Sequence, residues 1–100
     1  MQLSTGMVSV AKMKQYFVCD LNLSENIVRL RKTAGMTQNY VAIQLQVIGL
    51  NISRSRLSMI ELGRLNVPVS MLVALKTIFK CDYSDFFEGL EEKLADIAGE

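Results

Sequence analysis

The chain has no histidine and no tryptophan, a single proline and only two cysteines in 100 residues. Without histidine there is no Ser-His-Asp or Cys-His arrangement, no HExxH metal site and no general base that titrates near neutral pH. Half of the acidic residues fall in the terminal stretch EGLEEKLADIAGE, where a solvated helix face accounts for them better than a catalytic carboxylate pair. No enzymatic activity is expected. Cys19 and Cys81 lie far apart and form no CxxC pair, so neither zinc nor a disulfide is implied. Both are read as reduced thiols, Cys81 as a core residue, and no metal or cofactor is expected.

Long apolar runs are missing too. None approaches the roughly 18 to 20 residues that cross a bilayer, and the opening MQLSTGMVSV has neither a basic n-region nor an unbroken apolar h-region. A cytoplasmic protein without membrane contact is expected. What the chain does have is apolar content: half of its residues are hydrophobic and 21% are charged, which is enough to fold one small domain around a single core.

The net charge of +1 hides an uneven distribution. Between Glu25 and Arg64 six basic residues stand against two acidic ones, whereas beyond Arg64 three lysines stand against seven acids. A basic middle followed by an acidic end suggests one face that attracts phosphate and another that does not.

Periodicity predicts five helices. In LSENIVRLRKTAG, Leu23, Ile27 and Leu30 share a face, with Ser24 suited to the N-cap and Gly35 to the C′ position, giving a helix over about 24 to 34. In MTQNYVAIQLQVIGLN, Thr37 caps a second helix whose buried stripe is Val41, Ala42, Leu45 and Ile48, ended by Gly49. Ser53 caps a third, with Leu57 and Ile60 inward and Gly63 at its end. Ser70 caps a fourth, with Leu72, Leu75, Ile78 and Phe79 apolar. A fifth runs from Ser84 to about Ala98, with Phe86, Phe87, Leu90, Leu94 and Ile97 along one side and Gly89 as an interruption. Residues 1–22 suit either a strand, through Val8 and Val10, or a helix, through Met13, Phe17 and Leu21. They are read as an arm that packs on the body or on a second subunit.

A capped helix, a glycine-containing turn and a second capped helix with polar residues on its leading turn form the pattern of a helix-turn-helix. LRKTAG at 30 to 35, TQ at 37 and 38, VA at 41 and 42, Leu45, ISRSRLSMIELG at 52 to 63, Pro68 and LKTIFKCDYSDFF at 75 to 87 resemble the Cro/C1-type (XRE) family of DNA-binding proteins over about two thirds of the chain. The stretch QVIGLN between Leu45 and Ile52 departs from that family, which usually has a single glycine there, and bears on the angle at which the third helix would meet DNA. The resemblance implies an all-α, five-helix bundle of the lambda-repressor-like helix-turn-helix type over residues 23–88. An N-terminal arm (1–22) and an acidic helix end (89–100) flank it. It implies a regulator that binds double-stranded DNA through the helix at 53–62.

Residue by residue, the resemblance places Arg54, Ser55, Ser58 and Met59 at base edges. Arginine can bond guanine bidentately, serine suits several bases, and methionine can pack on a thymine methyl or equally fill a gap between helices. Ser53, Arg56 and Gln38, with Arg64 and Asn66 in the following loop, are expected to hold phosphates. Asn66 also suits an ordinary turn. In the family a glutamate at the position of Glu61 turns inward to the arginine of the LR motif, so Arg31 and Glu61 are expected to form a structural ion pair. A homodimer on a two-fold site is one expectation and a monomer that buries its own apolar residues another. A protein-interaction module of the same fold, with a protein partner in place of DNA, is the competing reading.

Overall fold

In this computed structural model, which describes residues 23–98, capping groups and left-handed glycines set the helix boundaries. Six helices and no strand are present among the described residues: α1 (Ser24–Thr33), α2 (Gln38–Ile48), α3 (Arg54–Glu61), α4 (Val69–Phe79), α5 (Tyr83–Phe86) and α6 (Leu90–Ala98). The arm expected at residues 1–22, with Cys19, lies outside the described residues.

Two of the expected side-chain caps form. The Thr37 hydroxyl accepts the Tyr40 N–H at 3.0 Å, and the Ser53 hydroxyl accepts the Arg56 N–H at 3.1 Å. Two others do not: Ser24 is the first residue of α1, with Leu23 at the cap position, and Pro68 precedes α4 in place of Ser70. Proline fits there because its fixed φ suits a helix entry and its missing N–H is one that the first turn leaves unpaired in any case. The expected fifth helix is two helices. Gly89, at φ +83°, separates α5 from α6.

Gly49 ends α2 in the left-handed region at φ +111°, and the N–H groups of Gly49 and Leu50 both return to the Leu45 carbonyl at 3.2 and 2.9 Å. The stretch QVIGLN thus lengthens α2 to Ile48 and forms a turn, braced by Gln46 Nε2 donating to the Ile52 carbonyl at 3.2 Å. A Cβ at Gly49 would meet nothing within 4 Å, so the cost of Gly49→Ala is conformational only. It is expected to be about 1–2 kcal/mol, read from the urea midpoint by circular dichroism. A loss several times larger would mean that the turn is packed against something.

The core gathers side chains from each of the first five helices, from one of α5 to four of α4. Ile27, Val41, Leu45, Leu57, Ile60, Met71, Leu75 and Phe86 are fully buried, with Ile52 reaching in from the turn. Each such side chain contributes roughly 1.5–3 kcal/mol by leaving water. Along α4 the buried set is Met71, Ala74, Leu75 and Phe79, and the expected Leu72 and Ile78 are half-buried beside them. Ile48, expected in the α2 stripe, is 54% exposed: it lies past the point where α2 leaves the body. Phe87, at the end of α5, is likewise exposed, and so are Leu94 and Ile97 on α6, where only Leu90 reaches the core edge. Cys81 is a free, half-buried thiol packed against the core. Burial, then the carboxylates of Asp85 and Asp82, push its pKa above the ordinary thiol range.

Candidate functional site

α3 is short, and what surrounds it fixes its orientation. Leu57 and Ile60 pack inward between α1 and α2. At roughly 100° per residue, Ser55, Ser58, Met59 and Leu62 then share the opposite face. Arg54 lies on one flank of that face and Arg56 on the other. Arg54, Ser55 and Arg56 are exposed, Ser58 is half-buried and Met59 is 36% exposed. The four residues expected at base edges are therefore neighbours on one turn-and-a-half of helix.

Glu61 does not share that face. Its side chain is 5% exposed and it is held from three sides: Arg31 Nε donates to Oε2 at 2.7 Å, Arg31 Nη2 to Oε1 at 2.9 Å, and Gln38 Nε2 to Oε1 at 2.9 Å. Arg31 also donates through Nη1 to the Met36 carbonyl at 2.9 Å. The guanidinium fork matches the two carboxylate oxygens. The network joins α1, the start of α2 and the end of α3. Gln38, expected at a phosphate, thus gives one of its two amide hydrogens to Glu61. What sequence reasoning did not supply is this third partner, and the only signal for it was a polar side chain in the first turn of α2.

The positive charge at the site is unbalanced. Among the described residues Arg29, Arg31 and Lys93 pair with carboxylates, whereas Arg54, Arg56 and Arg64 have no carboxylate within ion-pair distance. Arg54 and Arg56 sit at the N-terminus of α3, where the first turn of N–H groups and the helix dipole also favour an anion. Ser53 keeps its hydroxyl proton for a further acceptor while its oxygen caps the helix. Arg64 and Asn66 are exposed in the loop that follows. Chemically, this surface can hold phosphate oxygens at the helix start and present short polar groups and a thioether beyond them.

The structure adds an apolar element. Leu62, at 61%, and Leu65, at 40%, are exposed beyond Met59, and neither was singled out from the sequence. Among the described residues no group of His, Cys, Asp or Glu is arranged to hold a metal ion, and no helix is long and apolar enough to cross a membrane. No family model, no curated protein and no solved structure matches the chain.

Proposed function

We propose that the chain is a sequence-specific regulator that binds double-stranded DNA by laying α3 in the major groove, with α2 and α3 acting as a helix-turn-helix of the lambda-repressor-like type. The observation that carries this reading is the set of three arginines left without carboxylates, Arg54, Arg56 and Arg64, around an outward polar face on a helix that a buried ion pair holds in place. Arg54, Ser55, Ser58 and Met59 read base edges. Ser53, Arg56, Arg64 and Asn66 hold the backbone and carry no sequence information. Gln38 acts on this interface by fixing Glu61, and through it α3, while its second amide hydrogen remains for a phosphate. A homodimer on half-sites about 34 Å apart is the arrangement such a module uses.

Selection from a random duplex pool at near-physiological salt tests the proposal. A roughly palindromic motif is expected for the native chain. Arg54→Ala should blur one position and weaken binding by about 1–3 kcal/mol, roughly 5- to 150-fold. Arg56→Ala should weaken all sequences alike and reduce the log–log salt slope by about 0.9. Absence of enrichment, with weak binding that disappears at modest salt, would refute the proposal.

The exposed Met59, Leu62 and Leu65 favour a second reading, in which the same face docks on another protein. In that case Leu62→Ser would abolish partner binding, and Arg54→Ala would change it little.

A further inference from the structure

The described chain begins at Leu23, and Leu23 is itself part of an open groove of about 960 Å³ whose apolar wall is Leu23, Phe87, Leu90 and Leu94. Phe87 and Leu94 are about half exposed, and Ile97 extends the same stripe at 40%: at roughly 100° per residue, Leu90, Leu94 and Ile97 fall within about 60° on α6. α6 is held from its other flank. Lys93 reaches Glu25 of α1 at 3.1 Å, and the link that leads into α6 is held by Asn26 Nδ2, which donates to the carbonyls of Phe86 and Glu88 at 2.8 and 2.9 Å. The apolar stripe is thus positioned but uncovered by any described residue.

Charge selects among occupants. The rim of the groove is acidic, through Glu91 and Glu92, with Glu88 beside them paired to Arg29. A second copy of this face would set these carboxylates against their own counterparts, which like-charge repulsion disfavours. Residues 1–22 carry Lys12 and Lys14 against Asp20 alone, and 12 of those 22 residues are hydrophobic. They enter the described domain at the mouth of the groove. We infer that residues 1–22 of the same chain occupy this groove, apolar side chains against Phe87, Leu90 and Leu94 and lysines toward the acidic rim. This intramolecular contact is independent of the DNA-binding reading.

The test uses the full chain with Cys19→Ser, Cys81→Ser and Ser9→Cys, carrying a nitroxide on residue 9. Fourteen residues separate positions 9 and 23, a reach of roughly 50 Å when extended, so proximity to α6 is not guaranteed by the covalent chain. The amide signals of Glu91 to Leu94 are expected to broaden while those of Tyr40 to Val47, in α2, stay sharp. Leu94→Ser should restore the α6 signals, the rest of the spectrum reporting that the domain stays folded. A mixture of spin-labelled unenriched chain with unlabelled 15N chain should show no broadening. Three results would overturn the inference: sharp α6 signals in the labelled chain, broadening unaffected by Leu94→Ser, or broadening transferred between molecules, which would identify a second copy as the occupant.

Discussion

Arg31→Ala is expected to destabilise the domain by about 3–5 kcal/mol and to lower its Tm by roughly 12–40 °C, at about 4–8 °C per kcal/mol for a domain of this size. The reason is what the substitution leaves behind. Glu61 is 5% exposed. Without the guanidinium, that carboxylate keeps only the Gln38 amide, and the Met36 carbonyl loses its donor as well. Arg31→Lys should recover only part of the loss, because one ammonium cannot span both carboxylate oxygens and the Met36 carbonyl in the geometry of a guanidinium fork. The pair Arg31→Met with Glu61→Leu separates charge from packing: removing both partners for apolar groups is often neutral or stabilising, so the double variant should melt well above Arg31→Ala. Thermal melts followed by circular dichroism decide the matter. An Arg31→Ala chain that melts with the native one would remove the ion pair from the list of structural contacts.

Phe86→Ala is expected to cost about 3–5 kcal/mol, measured as a fall in the urea midpoint with the slope unchanged. Phe86 is fully buried, its ring centroid lies 6.4 Å from that of Phe79, and it closes the core between α4 and α1. Its backbone matters as much as its ring, since the Phe86 carbonyl accepts from Asn26. A cavity that collapses by shifting α5 would therefore strain that bond and the one from Asn26 to Glu88. A loss under about 1 kcal/mol would mean that α5 relaxes freely into the space.

How far the sequence alone carries can be judged from particular residues. Thr37, Gly49 and Ser53 act locally, through their own hydroxyl or backbone freedom, and each behaves in the structure as its type and spacing predict. Ile27, Leu45, Leu57 and Ile60 were legible because an amphipathic period needs only the helix itself. Ile48 was misjudged for a different reason: its period is correct, but whether a stripe is covered depends on where the neighbouring helices end, and the stripe of Leu90, Leu94 and Ile97, read only as one side of a helix, is open on the same ground. The same distinction runs through the site. Arg54, Ser55, Ser58 and Met59 share a surface because of helical geometry, whereas the engagement of Gln38 with Glu61 is a tertiary contact between residues 23 positions apart. No local pattern encodes it.

The two ends of the domain are fastened by different physics. At α3 the fastening is a desolvated, three-way grip on Glu61, which mobile ions barely reach. At α6 it is Leu90 and the exposed pairs Lys93–Glu25 and Arg29–Glu88, which lie in solvent and are screened over about 8–10 Å at physiological ionic strength. Backbone amides of α6 are accordingly expected to exchange faster with solvent than those of α3. Rising salt widens that gap, since it loosens the acidic end and leaves the basic helix seated.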